Sequence, residues 1–297
     1  MSTVAPPVQR RTRASRASTS DVGRMLLMAV VWLGALACIF PLVWTLVSSF
    51  RSNASFLVSP FYVDPRQLSI DNYRATLSDG SVLNGLKNST IQVVIILATT
   101  LFFCPLAGYG FAKFTFPGKR FLFGLMMLTL FFVPITQYVP LLLEMNALGW
   151  VDTYQSLVMP LVISSLGIFW MNAVIAGIPN ELLHAARVDG CGSFGAWWRI
   201  VLPIVRPALV SLAVVSFLTA YNDYFWPLLI LPETAMQTVQ IALQVFVSAL
   251  GNSSTSSSAA FGPVLAASTI VFLPTIIIFL LMQRYFIRGM LEGSVKE

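Results

Sequence analysis

Four long stretches in the first 180 residues of this chain carry no charged side chain at all. They are Met25–Phe50 with 26 residues, Asn88–Ala112 with 25, Phe121–Leu143 with 23 and Thr153–Asn180 with 28. About 20 apolar residues in a helix cross the roughly 30 Å hydrocarbon core of a bilayer. A lipid-facing segment must satisfy its own backbone N–H and C=O groups, which restricts it to helices or closed barrels. Runs of this length exclude a water-soluble fold. Composition agrees, with 10% charged residues against about 25% in soluble domains, and a mean hydropathy of +0.79. The expected fold class is an all-α integral membrane protein.

The net charge of +6 is explained by where the cations lie. Arg10, Arg11, Arg13, Arg16 and Arg24 precede the first run, and Lys113, Lys119 and Arg120 lie between the second and third. Arg187, Arg199 and Arg206 follow the fourth, and Arg284, Arg288 and Lys296 close the chain. Fourteen of the 18 basic residues thus occupy alternate loops, while Arg51, Arg66, Arg74 and Lys87 lie in or beside one long connection. This positive-inside pattern predicts a multi-pass membrane protein with cytoplasmic N- and C-termini. A nucleic-acid partner would require a basic patch interleaved with stacking aromatics, and none is visible.

The chain divides into a disordered basic tail (1–24), a first transmembrane helix and outer loop (25–87), a core (88–282) and a cytoplasmic C-terminal tail (283–297). Spans are predicted near 25–50, 88–111, 121–143, 156–178, 207–231 and 260–282, the third kinked by Pro134 and Pro140. Leu36-Ala37-Cys38 resembles a lipoprotein cleavage site, but the apolar run continues a dozen residues beyond it, so the first helix is retained. Residues 234–251 would place Arg284 and Arg288 outside if they crossed the membrane. Gln237, Gln240 and Gln244 form one polar face there, so the stretch reads as an outer amphipathic helix. Six spans result. Cys38, Cys104 and Cys191 have neither metal-ligand nor disulfide spacing.

The most informative segment is the long loop 179–206. Pro179 and Glu181 suit a helix start, and Ala185 and Ala186 are small helix formers. Gly190 can close the helix in a left-handed conformation. A second helical segment follows, stopped by Pro203 and Pro207. A short helix projecting from the bundle serves packing or a partner.

The order Glu181-Leu-Leu-His184-Ala185-Ala186, then Asp189-Gly190, then Ile200-Val-Leu202-Pro203 resembles the coupling-loop signature of type I ABC importer permeases. Phe40-Pro41-Leu42-Val43-Trp44, Asp71-Asn72-Tyr73, Tyr221-Asn222-Asp223-Tyr224-Phe225-Trp226-Pro227-Leu228 and Gln283-Arg284-Tyr285-Phe286-Ile287-Arg288-Gly289 are similar to the carbohydrate-uptake branch, in particular the smaller permease of maltose-type systems. The resemblance covers residue 25 to the C-terminus. It implies a permease subunit forming half of a translocation pathway for a sugar or related polar solute. It also implies a cytoplasmic coupling helix bearing Glu181, His184, Ala185, Ala186, Asp189 and Gly190. Its implied partners are a second permease, two ATPase subunits and an extracytoplasmic solute-binding protein, besides membrane lipid. The family's usual Glu before the Ala pair is His184 here, with Glu181 one turn earlier. The chain has no phosphate-binding Gly-x4-Gly-Lys-Ser/Thr loop. ATP and Mg would therefore sit on a separate ATPase, with no cofactor in this chain and no enzymatic activity of its own.

Tyr221, Asn222, Asp223 and Trp226 are the candidate substrate-pathway residues. Asp223 is the one acid inside a predicted span, and such acids mark either a route or a paired buried group. Asn222 and Trp226, at i and i+4, would share a helix face; Trp226 suits either an interfacial aromatic belt or stacking on a sugar. The alternative function, a secondary transporter or channel, would favour several intramembrane ionisable groups and an inverted repeat. His184 is the single histidine, so it reads as an interface residue rather than a catalytic base.

Overall fold

The computed structural model describes residues 18–52, 55, 62–253 and 261–292. Among these the only pairing of extended chain is one isolated bridge, Arg51 with Leu68. The helices are α1 (Ser18–Ser48), α2 (Asp71–Asp79), α3 (Ser81–Lys113), α4 (Lys119–Leu128) and α5 (Pro134–Ala147). They continue as α6 (Tyr154–Val158), α7 (Ser165–Ala176), α8 (Asn180–Val188) and α9 (Ser193–Ile204). The last four are α10 (Arg206–Tyr221), α11 (Phe225–Ile230), α12 (Val239–Ser253) and α13 (Phe261–Glu292).

Four helical stretches are long and apolar enough to cross a membrane: Gly23–Ser48, Ser81–Lys113, Tyr154–Ala176 and Phe261–Gln283. Two bent pairs raise this to six if each is one span. Lys119–Phe131 meets α5 at 105°, and α9 meets α10 at 80°. The third predicted span is therefore a corner rather than a kinked rod. Val133 is extended ahead of Pro134, as the residue before a proline prefers, whereas Pro140 sits inside α5 without ending it. The fifth predicted span is also interrupted, because α10 stops at Tyr221 and α11 starts at Phe225. Pro203 and Pro207 occupy first-turn positions of helical segments rather than stopping one; the chain turns at Val205 between them.

At the N-terminus, α1 already begins at Ser18, so residues 18–24 are helical and not a tail; residues 1–17 and 293–297 lie outside the described residues. The charge-pattern reading at Arg10, Arg11, Arg13, Arg16 and Lys296 rests on residues outside that set. The outer loop is shorter than expected. Gly80, at φ +76°, ends α2 and starts α3 seven residues before the charge pattern suggests. Asn72 on α2 donates through Nδ2 to the carbonyls of Ser49 and Arg51, both at 2.8 Å, and the Tyr73 hydroxyl lies 2.6 Å from Ser49 Oγ. These contacts satisfy polar groups of the turn that follows α1. Thr76 Oγ1 reaches the Pro263 carbonyl at 3.2 Å, so α2 joins α1 to α13.

The bundle centres on α3, which packs against α7, α10 and α12. Met171, Ile175, Trp197, Val201 and Leu212 form one buried cluster, and Val93, Ile96, Phe217, Tyr221, Val239 and Val271 a second. The amphipathic stretch after residue 234 is indeed a helix, α12, but its Gln face is not simply solvated. Asn88 Nδ2 donates to the carbonyls of Ala235 and Gln237, Ser89 Oγ accepts from the Val239 amide at 2.9 Å, and Gln240 Nε2 reaches the Tyr221 carbonyl. Much apolar surface stays uncovered. The spanning window of α1 is 0% buried, and Phe131 at the α4–α5 corner is 83% exposed. Such contiguous apolar surface belongs against lipid or another subunit.

Candidate functional site

Helix α8 is assembled from local signals. Pro179 precedes it in an extended conformation, Glu181 lies in its first turn and Arg187 in its last, each charge complementing the helix dipole. At the far end Gly190 takes φ +77°. The Cys191 amide bonds the Ala186 carbonyl at 2.8 Å and the Gly190 amide bonds the Arg187 carbonyl at 3.0 Å. That bond pair is a Schellman closure, and Cys191 packs on the buried cluster to which Ala186 belongs.

The candidate coupling residues do not all face the same way. Leu183 and Ala186 are buried, and pack into the cluster around Trp197. Glu181, His184, Ala185, Asp189 and Gly190 are exposed. Ala186 thus serves the bundle: its small side chain lets α8 lie close to α9, and it is not available to a partner. Val188, which the sequence reading did not single out, is 88% exposed. It follows Glu181, His184 and Ala185 at seven, four and three residues, on one helix face. That spacing was the available signal.

The second candidate cluster is a break in the bundle. Tyr221 is buried, its ring stacked on Phe217 at 5.2 Å, and its hydroxyl donates to the Val271 carbonyl at 2.8 Å. Trp226 is 2% exposed, donates from Nε1 to the Ser156 carbonyl at 3.0 Å, and lies 5.8 Å from the Tyr138 ring. Asn222 and Trp226 therefore share no helix face: the chain leaves α10 at Asn222 and restarts as α11. The polar pair Asn222-Asp223 is the cause. Asn222 is exposed and its Nδ2 bonds the Leu218 carbonyl at 2.9 Å, closing α10. Half-buried Asp223 turns its carboxyl toward the backbone amides of Trp226, Tyr224 and Phe225, at the start of α11, and lies within electrostatic reach of Tyr138. Tyr221 and Trp226 lock the two sides of the break into the bundle, leaving Asn222 and Asp223 as its polar, reachable part. Among the described residues no group of three His, Cys, Asp or Glu side chains could hold a metal ion.

Residues 105–292 match the family described as the inner membrane component of binding-protein-dependent transport systems. The chain belongs to this family. The matched region runs from within α3 to the end of α13, and includes both α8 and the Asn222–Asp223 break. The arabinooligosaccharides transport system permease protein of Bacillus subtilis (strain 168) is 31% identical over 279 residues, covering 93% of this chain and 97% of that protein. The trehalose/maltose transport system permease protein of Thermococcus litoralis is 32% identical over 278 residues, covering 92% and 97%. The fold is shared with a bacterial ABC transporter involved in import of the acidic polysaccharide alginate, at TM-score 0.81, 20% identity, and coverage of 92% of this chain and 99% of that one. This chain is thus a multi-pass membrane component of a binding-protein-dependent transport system, and its relatives are transport permeases.

Proposed function

We propose that this permease forms half of the route by which a carbohydrate importer of the bacterial inner membrane carries a sugar or oligosaccharide inward. The observation that carries the reading is its likeness, along more than nine-tenths of its length, to permeases named for arabinooligosaccharides and for trehalose and maltose. In this reading each bent pair contributes a crossing, giving six spans, and both termini and α8 face the cytoplasm. The exposed stripe Glu181, His184, Ala185 and Val188 docks on an ATPase subunit, with Asp189 and Gly190 closing the helix beside it. Two ATPase subunits, a second permease and an extracytoplasmic solute-binding protein complete the assembly, and ATP and Mg bind the ATPase. A stripe mixing an acid, an imidazole and small or branched apolar residues suits a groove with an apolar floor and polar rim.

Gly190 tests the coupling assignment. A Cβ there meets nothing within 4 Å, so substitution acts through the backbone alone. Holding an L-residue left-handed costs about 1–2 kcal/mol, and a β-branched one is a genuine outlier. Gly190→Val should reach the membrane and assemble, yet show uptake and solute-stimulated ATP hydrolysis lowered about tenfold, the equivalent of about 1.4 kcal/mol. Parental stimulation in a proteoliposome assay would remove α8 from the coupling path.

Asn222 and Asp223 test the route. With Asn222 exposed at the break and Trp226 buried beside Tyr138, cysteine at 222 should react with polar thiol reagents in a nucleotide-dependent way, whereas cysteine at 226 should stay protected. Asp223→Asn keeps the shape but loses the charge facing the α11 amides; it should retain assembly and lower transport. Full protection of position 222 in every nucleotide state would assign the break to packing.

A further inference from the structure

Lys113 is the last residue of α3, and the role argued for it rests on the reading of α8 as the coupling helix. An ammonium has three N–H donors and no acceptor. Nζ of Lys113 uses them on the Ala176 carbonyl at 3.3 Å, the Ile178 carbonyl, and Asn180 Oδ1 at 2.9 Å. Ala176 is the last residue of α7 and Asn180 the first of α8, with Pro179 between them. The carbonyls ending a helix lack intrahelical partners and carry its negative dipole end, so a cation placed there makes charge-assisted bonds, roughly twice as strong as neutral ones. Glu181, on the exposed stripe, adds attraction to the same ammonium from beyond contact distance. Pro179 contributes no N–H, and Lys113 adds a directed polar tie between the α7–α8 corner and α3 to the apolar contact of Ile178 and Tyr109 in one buried cluster.

We propose that Lys113 is a positioning residue that transmits displacement of α8 into α3, and so into the bundle α3 centres. The mechanical consequence follows from its three bonds. Without them α8 is held by the backbone at each end and by apolar contact alone, through Leu183 and Ala186 in the buried cluster that Tyr109 of α3 also joins. Such a contact can slide more readily than directed bonds. With them, a push on α8 must either carry α3 along or break three charge-assisted bonds at once. Because α3 packs on α7, α10 and α12, moving its end changes the relation of α10, and the break at its far end, to the rest of the subunit.

The test uses the whole transporter in proteoliposomes, with uptake and ATP hydrolysis read from the same sample, for Lys113→Met and Lys113→Arg. Allosteric couplings commonly amount to 5–150-fold; Lys113→Met should assemble normally but lower solute moved per ATP about tenfold. Lys113→Arg, which still offers donors to the carbonyls, should recover a large part. Hydrogen exchange on the same preparations supplies a readout independent of transport: amides of residues 180–188 should exchange faster in Lys113→Met, while those of α3 stay protected. Unchanged solute per ATP in an assembled Lys113→Met complex overturns the proposal. So does a proportional fall of uptake and hydrolysis together with lost assembly, which marks a merely structural lysine. If α8 exchange rises but no ATPase co-purifies with the parent chain, the assignment of α8 as the coupling helix fails and the transmission role falls with it.

Discussion

Gly108→Val should leave little folded protein in the membrane, whereas Gly110→Val, two residues along the same helix, should accumulate near the parental level. A Cβ at 108 would lie 2.8 Å from the Asn172 amide nitrogen, 2.8 Å from Met171 Cβ and 3.0 Å from the Met171 carbonyl carbon. Two of these neighbours are backbone of α7 and cannot rotate away, so α3 and α7 must separate. Small residues let membrane helices approach closely, and packing rather than hydrophobic transfer supplies most of their association. Separation would open the cluster holding Met171, Ile175 and Trp197, each fully buried. Overpacking ordinarily costs about 1–3 kcal/mol, and backbone neighbours place this site at or above the top of that range. At Gly110 an added Cβ meets nothing within 4 Å, so that variant controls for the change in helix propensity. Fluorescence-detected size exclusion of both variants, with thermal midpoints, reads the difference. Equal accumulation would mean the α3–α7 contact has room that the structure does not show.

Reconstitution should give an all-or-none result. This permease with only the ATPase and the solute-binding protein should show no uptake, and adding the second permease should restore it. In the proposed assembly, solute moves when two ATPase subunits close on two coupling helices. This chain offers one α8 and no phosphate-binding loop. The uncovered apolar faces of α1 and of the α4–α5 corner are consistent with a bundle completed by another chain, and branch analogy with paired larger and smaller permeases favours a different one. Robust ATP-dependent uptake without that chain would instead mean a homodimeric pathway.

The uncharged runs alone determined that the chain lives in a bilayer and is helical, because an unpaired backbone in hydrocarbon leaves little else. Local chemistry also determined α8. Pro179, Glu181, the Ala pair and Gly190 act within a few residues of one another, so the Schellman turn and the positive φ at Gly190 were legible before any packing was known. Its family signature was legible for the same reason. The division of the Ala pair was less so: Ala185 and Ala186 are adjacent and alike, and which of them faces inward depends on where α9 lies.

Tertiary structure decided the rest. Apolar runs report burial in lipid but not direction, since a bent pair and a straight helix present the same uncharged stretch. Thus the 105° corner at Val133 and the turn at Val205 stayed hidden. So did the interruption at Asn222-Asp223, where helix periodicity placed Trp226 beside Asn222 while the fold puts it against Ser156 and Tyr138. Lys113 illustrates the same limit from the other side. In the sequence it is one cation of a basic loop, and its meaning comes from acceptors 63, 65 and 67 residues away. Local propensities act over a turn or two of chain, whereas these contacts exist only once α3, α7 and α8 have packed.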